Sequence, residues 1–523
     1  KHYFKKEKEK KMKAKHTGMK AAAWILAGIL GAGGGMYGMP RNVHAEDWED
    51  GEHEEIEDSQ EQGPAKGTYG SNIQWTLDAE NTLTVTGDGE IRDENIELSD
   101  EEAPWLDYAN SIRKIVIGEG ITYIGYFAFA DCINVEEISM ADTVTDIGDY
   151  AFCGYEDHQH PEGECKGVKL KLSQSLETIG ESAFEALDVA SVELPDSVKS
   201  IGEYAFDECD KLDSIKIPEN VTRMGNGVFE RCFNLKNVVI PKKMTVIPDY
   251  TFSQCESLKT IVIPDNVETI GEGAFNCCKS LKKIMIPSGT RRIKDCAFGE
   301  CSNLEKIDIP DAVESVGIDA FVDCRKLKEI NLSKKLSVIE IGTFTGCDSL
   351  KSIDIPAGVK TIKWYAFSEC FTLEQVNIPN TVTYIGKCAF EDSHKLKNVS
   401  IPSSVTEIGD YAFGYCTSLA YVQSVSDYKT RTMASDKYKV RGFTIIGKKN
   451  SAAYRYAKKH KFEFYTSLKY MKVHIVKSCR YRIKNNSEVT FLGIANKKIK
   501  NATIPSTVKI DKKTYKVTSI SPN

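Results

Sequence analysis

One pattern of hydrophobic positions recurs along most of the chain, in the form C-x-x-L-K-x-I-x-I-P-x-x-V-x-x-I-G-x-x-A-F. In one copy, the alternation of Ile261 and Ile263 predicts a short strand with one face turned inward. Pro264 ends this strand, because proline has no N–H for a sheet ladder. Gly271 permits a tight bend, after which Phe275 fills the opposite side of the unit. Each copy is therefore one turn of a repeating structure.

The repeat phenylalanine occurs thirteen times, and the nine spacings from Phe206 onward are all 23 residues. The earlier spacings are 23, 32 and 22 residues, which indicates an insertion after the second copy. One copy buries apolar side chains worth roughly 10–15 kcal/mol, whereas ordering its backbone costs on the order of 30 kcal/mol. A single copy cannot fold, so the sequence predicts a stack of copies that share their faces. The thirteen positions are Phe129, Phe152, Phe184, Phe206, Phe229, Phe252, Phe275, Phe298, Phe321, Phe344, Phe367, Phe390 and Phe413.

The repeat resembles that of the BspA-like leucine-rich-repeat proteins of bacterial surfaces, I-P-x-x-V-x-x-I-G-x-x-A-F-x-x-C-x-x-L. The resemblance covers nearly all of the chain after residue 67. It implies an α/β repeat, a right-handed leucine-rich-repeat solenoid of about thirteen 23-residue rungs with β-rich terminal caps. It also implies surface display and a role in adhesion or host interaction.

Composition divides the chain into six segments. Nine lysines in the first twenty residues, the uncharged run 21–40 and the small residues near Ala45 predict a secretory signal peptide, with an uncleaved membrane anchor as the alternative. Ten carboxylates within 46–63 predict a disordered spacer. The predicted order is a signal peptide (1–45), an acidic linker (46–66), an N-terminal β cap (67–110), the repeat array (111–426), a C-terminal cap (427–467) and a basic β module (468–523) that opens a truncated second repeat segment.

Charge is distributed unevenly along the predicted exported part. Residues 421–523 hold 24 Lys and Arg against 5 Asp and Glu, a net charge of +19, whereas residues 46–420 carry a net charge of −34. The basic segment predicts a salt-sensitive attachment to an anionic cell wall, with solubilising lysines as the alternative. An exported acidic body is not expected to bind nucleic acid, and the membrane is expected to be contacted only through the signal segment.

Ten of the 16 cysteines lie three residues after the repeat phenylalanine. Because stacked parallel side chains do not readily reach the disulfide torsion, the pattern favours a column of buried thiols that pack as small hydrophobes. The insertion places Cys153, His158, His160 and Cys165 within thirteen residues. A disulfide between the two cysteines, free thiols and a tetrahedral zinc site all remain open for this loop.

No sequence motif for catalysis is present. The chain contains no G-x-S-x-G, P-loop or H-E-x-x-H pattern, and its carboxylates follow the repeat as a solvated face would. We therefore expect no enzymatic activity and no cofactor in these residues.

The residue between the two inward aliphatics of each strand faces outward, and this outward column is the candidate ligand-binding surface. Its apolar stretch is Val239, Val262 and Met285, and its polar stretch is Asp308, Asn331, Asp354 and Asn377. Contiguous exposed apolar residues mark interaction sites, so we expect a protein or glycan ligand centred on Met285 and Asp308. The alternatives are a calcium ladder on Asp and Asn, ordinary β-forming positions in an architectural spacer, and a scaffold for an enzyme domain outside this chain. The other members of the column are Val116, Ser139, Glu193, Lys216, Ser400 and Gln423, with the second rung left unassigned because Lys169 and Lys171 allow two registers.

Overall fold

The computed structural model describes residues 64–92, 103–154, 167–416, 443–466, 473–476, 479–483, 487–494, 504–511 and 513–520. The chain divides into two compact units. Unit 1 comprises Lys1–Leu336 and Glu340–Asp348, and unit 2 comprises Ser337–Ile339 and Ser349–Asn523. The predicted signal peptide, most of the acidic linker and residues 417–442 lie outside the described residues.

Unit 1 contains 21 short strands among the described residues. They are β1 Ala65–Tyr69, β2 Ile73–Leu77, β3 Thr82–Gly87, β4 Gly89–Ile91, β5 Lys114–Ile117, β6 Ile121–Ile124, β7 Glu137–Met140, β8 Asp146–Ile147, β9 Val168–Lys171, β10 Thr178–Ile179, β11 Val189–Val192, β12 Ser200–Ile201, β13 Ser214–Lys216, β14 Arg223–Met224, β15 Asn237–Val239, β16 Val246–Ile247, β17 Thr269–Ile270, β18 Arg292–Ile293, β19 Lys306–Asp308, β20 Ser315–Val316 and β21 Glu329–Asn331.

Unit 2 contains 14 strands and one α-helix among the described residues. They are β22 Val338–Ile339, β23 Ser352–Asp354, β24 Thr361–Ile362, β25 Gln375–Asn377, β26 Tyr384–Ile385, β27 Asn398–Ser400, β28 Glu407–Ile408, β29 Thr444–Ile446, the helix α1 Ala452–Lys459, β30 Glu463–Tyr465, β31 Val473–Val476, β32 Cys479–Ile483, β33 Glu488–Ile494, β34 Thr507–Ile510 and β35 Lys513–Ile520.

Most rungs contribute one short strand to each of two series of parallel strands. In unit 1, β5, β7, β9 and β11 run side by side in one sheet, and β6, β8, β10, β12 and β14 in the other. The strand pattern of alternating exposed and buried residues keeps the aliphatics of both sheets inside. Unit 2 repeats this arrangement, with β22, β24, β26 and β28 in one sheet. These parallel strands form the solenoid-type leucine-rich-repeat fold.

Two residues in left-handed backbone conformation flank most of the repeat phenylalanines, one two positions before and one two positions after. Tyr250 (φ 58°) and Gln254 (φ 58°) flank Phe252, and Gly342 and Gly346 flank Phe344. A right-handed helix cannot run through two such residues, so this side of each rung consists of turns. Within the described residues the α-helix is confined to α1, outside the 23-residue repeats. The predicted α/β class is thus corrected to a β repeat.

The repeat phenylalanines form the centre of the core in each unit. From Phe129 to Phe344, consecutive rings of unit 1 stack with centroids 5.1–5.9 Å apart and interplanar angles of 3–19°. In unit 2, Phe390 stacks at 5.2 Å on both Phe367 and Phe413. These rings are almost fully buried, so every rung places the same side chain in the same environment.

The repeat cysteines form a second buried column, and their thiols act as hydrogen-bond donors. The sulfur of Cys278 donates to the carbonyl oxygen of Phe252 in the preceding rung (3.2 Å), and Cys255 donates likewise to Phe229 (3.2 Å). Cys132 is buried in the same column. Burial raises the pKa of these thiols well above its usual value. The expected buried thiols are present, with a specific polar role that the sequence did not reveal.

A three-stranded antiparallel sheet covers the first rung of unit 1. Within the predicted N-terminal β cap, β2 and β3 form a hairpin around residues 79–81, and β3 then pairs in parallel with β5. An additional strand, β1, begins at Ala65, two residues before the predicted cap boundary, and pairs with β2. Trp105 completes the cap, since its ring stacks on Phe129 (5.4 Å) and its Nε1 donates to the Ala128 carbonyl (2.7 Å).

The helix α1 closes the phenylalanine column of unit 2. Ser451 caps its N-terminus by accepting a hydrogen bond from the Tyr454 amide. The buried Tyr456 hydroxyl accepts a hydrogen bond from the Phe413 amide (3.2 Å), and Phe443 continues the ring stack (5.6 Å from Phe413). The helix and the strand β30 lie within the segment predicted as the C-terminal cap.

The C-terminal residues form a separate five-stranded sheet in the order β31-β32-β33-β35-β34. Its core contains Tyr481, Val489, Phe491 and Ile510. The segment predicted as half of a new rung folds as the antiparallel hairpin of β34 and β35. Among the described residues, no helix is long and apolar enough to span a membrane.

Candidate functional site

The apolar part of the outward column lies on three consecutive rungs of unit 1. Val239 is 54% exposed, Val262 81% and Met285 85%, and Val262 and Met285 pair with each other in an isolated parallel β-bridge. Among the described residues, Ile520 is the one other large apolar side chain that is more than half exposed. Neighbouring strands lie about 4.8 Å apart, so these three side chains form one stripe. We call them the apolar stripe.

A column of lysines borders the apolar stripe on the same three rungs. Lys236, Lys259 and Lys282 are exposed at the position three residues before each stripe residue. None of them makes an ion pair with the described residues. We call these three the lysine column. Sequence analysis missed it, although the 23-residue spacing of the lysines is visible in the sequence.

Two further lysines face each other directly across neighbouring strands. Lys283 and Lys306 are paired in parallel, and like charges in this position repel. Lys306 is neutralised by Glu329 (3.3 Å) and lies 4.0 Å from Asp308. Lys283 has no carboxylate within ion-pair distance among the described residues. The stripe therefore has a positively charged border on this side.

The polar part of the outward column is hydrogen-bonded from rung to rung. In unit 1 the Asn331 amide donates to the Asp308 carboxylate. In unit 2 the Asn377 amide donates to the Asp354 carboxylate. Each asparagine thus supplies one of the hydrogen bonds that the carboxylate of the preceding aspartate can accept. All four side chains are exposed as expected, but these pairs already use part of their hydrogen-bonding capacity. In the described part of the chain, no group of three or more His, Cys, Asp or Glu is placed to hold a metal ion.

A depression of about 450 Å³ lies on the strand face of unit 2. It is formed where β25 and β27, which belong to different sheets, run next to each other. Its polar lining comes from Glu374, Gln375, Asn377, Asn398 and Ser400. Of these residues, Asn377 and Ser400 belong to the predicted outward column, whereas the other three were not predicted, because no residue type indicates where two neighbouring strands stop pairing.

The structure describes some of the remaining predicted positions. The register of the second rung is now assigned, since Ser139 pairs with Lys171, which makes Lys171 its outward residue. Cys153 is buried, and its sulfur lies 3.2 Å from the Gly154 carbonyl. His158, His160 and Cys165 lie outside the described residues, as does Gln423. The strand that pairs with β27 is β29, which places Ile446 beside Ser400.

Comparison with known families shows which family this repeat belongs to. Residues 106–160, 177–305, 291–420 and 392–521 match the model of the BspA type leucine rich repeat region, with six copies. The chain belongs to this family. The predicted resemblance is confirmed, and the family match includes all the rungs that carry the apolar stripe and the depression.

Solved structures of bacterial leucine-rich-repeat proteins are similar to this chain. A leucine-rich repeat protein from Eubacterium ventriosum is 25% identical, with 69% of this chain and 98% of that chain covered and a TM-score of 0.49. For a leucine-rich repeat protein from Bacteroides ovatus, identity is 26%, the coverages are 66% and 96%, and the TM-score is 0.43. For a leucine rich cell surface protein from Faecalibacterium prausnitzii, identity is 27%, 70% of this chain and 97% of that chain are covered, and the TM-score is 0.36. No curated protein matches the chain.

Proposed function

We propose that this chain is a secreted or cell-surface repeat protein that binds a protein ligand through the apolar stripe and the lysine column. The observation that carries the proposal is the exposure of Val262 (81%) and Met285 (85%), which pair with each other in a parallel β-bridge between neighbouring rungs. Solvent exposure of such residues is unfavourable, and their burial by a partner is worth about 25 cal/mol per Å². Residues near the centre of an interface contribute most where the surrounding contacts exclude water.

The charge beside the stripe specifies the chemistry of the partner. Lys236, Lys259 and Lys282 lie on the same rungs as the stripe, and Lys283 is directly opposite Lys306. A partner with an apolar centre and carboxylates at its rim complements this surface, and it would remove the repulsion between the lysines. The partner is therefore a protein with an acidic, partly apolar surface.

The test is capture of extracellular-matrix proteins by the purified chain on a sensor surface. Val262→Ser and Met285→Ser should each weaken capture by about tenfold, and Lys259→Glu should reduce the association rate and its salt dependence. Val246→Ser is the matched control, because Val246 is 41% exposed in β16, which belongs to the other sheet. Capture that is unchanged by the stripe variants, or absent across the panel, would favour an architectural spacer.

A second proposal concerns attachment to the cell. The net charge of +19 over residues 421–523 supports contact with an anionic cell wall. Since this contact is screened by salt, high salt should release the protein from intact cells, and retention in high salt would contradict the proposal.

A further inference from the structure

We propose that the depression between β25 and β27 binds a neutral oligosaccharide. This site is in unit 2, at a distance in sequence from the apolar stripe of unit 1, and the proposal is independent of the proposed protein ligand. With a volume of about 450 Å³, the depression is within the range of small-ligand sites, about 300–1,000 Å³.

The outward side chains of the two strands form a two-by-two array of neutral polar groups. Gln375 and Asn377 point outward from β25, and Asn398 and Ser400 from β27. An amide carries both donors and acceptors, and a hydroxyl does too. A sugar hydroxyl also donates and accepts, so each of these groups matches it without a change of protonation state.

Much of the hydrogen-bonding capacity of this array is unused. Asn377 donates to Asp354 and accepts a hydrogen bond from Gln375 (3.3 Å). The side chains of Asn398 and Ser400 make no hydrogen bond with the described residues, and the Glu374 carboxylate forms no ion pair there. A ligand with several hydroxyl groups would complete these bonds.

The remaining lining excludes other classes of ligand. No lysine or arginine lines the depression, so nothing there compensates a phosphate, a sulfate or a sialic acid carboxylate. The exposed residues of the depression are polar, unlike those of the apolar stripe. The depression is therefore poorly suited to bind an apolar side chain of a protein partner. Val376, Ile378 and Pro379 also line the depression, and apolar atoms there can contact the C–H faces of a sugar ring.

The experiment uses the full chain and saturation-transfer NMR with maltotriose, cellotriose, mannotriose and chitotriose, together with sialylated and sulfated trisaccharides. At least one neutral trisaccharide should bind. Gln375→Leu and Asn398→Leu should each lower its affinity by at least about fivefold, because each removes an amide that can hydrogen-bond to the sugar. Asn237→Leu, the same change at the equivalent position of β15 in unit 1, should have no effect on sugar binding.

Ser400→Ala keeps the test decisive if a leucine variant misfolds, since it removes one hydroxyl and introduces no bulk. Met285→Ser should leave sugar binding unchanged, and Asn398→Leu should leave protein capture unchanged, so failure of one proposal does not imply failure of the other. Binding of none of the neutral sugars, binding of acidic sugars alone, or equal affinity in the array variants would overturn the proposal.

Discussion

The hydroxyl of Ser393 donates a hydrogen bond of 3.1 Å to the carbonyl oxygen of Phe367. Ser393 occupies the position that cysteine holds in most rungs, where the thiol donates to the same carbonyl of the preceding rung, as Cys416 does to Phe390. Serine and cysteine share a donor at the γ position, although they differ in hydrophobicity. Donation to this carbonyl is therefore a property that the serine and the cysteines share.

The first prediction follows from this donor role. Ser393→Cys should change the free energy of unfolding by less than about 0.5 kcal/mol, whereas Ser393→Ala should cost about 1–2 kcal/mol, because it leaves a buried carbonyl without its donor. Urea denaturation followed by circular dichroism measures both. Equal stability of the two variants would show that the column requires only a small side chain.

The second prediction concerns the pH dependence of unit 1. Asp319 is buried, and its Oδ2 has no partner among the described residues. Burial, together with the nearby Asp295, raises the pKa of Asp319 from 3.8 to about 7, and Cys296 also lies beside it. The folded chain thus keeps a proton that the unfolded chain releases. The free energy of unfolding should fall as pH rises from about 4 to about 7, with the full loss above that range.

Asp319→Asn isolates this contribution, since the side chain is nearly isosteric and asparagine tolerates the left-handed backbone at this position (φ 52°). The variant should be more stable than the parent by on the order of 2–4 kcal/mol at about pH 8 and equal to it near pH 4. Asp311→Asn, at an exposed carboxylate paired with Lys334, is the control. An unchanged pH slope in Asp319→Asn would contradict the assignment.

The third prediction concerns Gly342. A Cβ atom added to Gly342 would lie 1.7 Å from the Asp319 Oδ1, and the backbone is left-handed (φ 61°). Gly342→Ala should therefore cost about 2 kcal/mol or more through collision and backbone strain. Gly289→Ala is the matched control, because the nearest atom to its Cβ would be 3.4 Å away. Thermal denaturation compares them, and similar losses in both variants would refute the prediction.

The fourth prediction concerns the N-terminal cap. Trp105→Phe preserves an aromatic ring over Phe129 but removes the donor to the Ala128 carbonyl. It should lower the free energy of unfolding by about 1–2 kcal/mol and speed amide exchange in β5. Trp364→Phe, at a tryptophan that is 46% exposed, should stay within about 0.5 kcal/mol. A loss of stability in Trp105→Phe as small as that in Trp364→Phe would contradict this prediction.

The inward positions and the outward column could be predicted because the 23-residue period repeats the same environment. Ile261, Ile263 and Phe275 are buried, and Val262 is exposed between the two isoleucines, as strand alternation requires. A contact that repeats in every rung can be predicted from the 23-residue hydrophobic pattern alone. The lysine column obeys the same rule and was equally accessible from the sequence.

The turns and the depression could not be predicted in the same way. Left-handed backbone usually favours glycine or asparagine, but here tyrosine, glutamine and glutamate adopt it at Tyr250, Gln254 and Glu300. The same conformation recurs at the equivalent positions of most rungs, whatever the residue type. The depression depends on how β25 and β27 are placed, a property of neighbouring rungs that Gln375 or Asn398 alone does not encode.

The near-equal spacing of the rings in unit 1, 5.1–5.9 Å from Phe129 to Phe344, makes one rung exchangeable for another. Duplication or deletion of a whole copy in the coding DNA leaves each new junction equivalent to the old one, and Trp105 still covers Phe129. Such events are almost neutral for folding, but they change which side chains stand next to each other on the outside. Selection can therefore change what this protein recognises while the fold is retained.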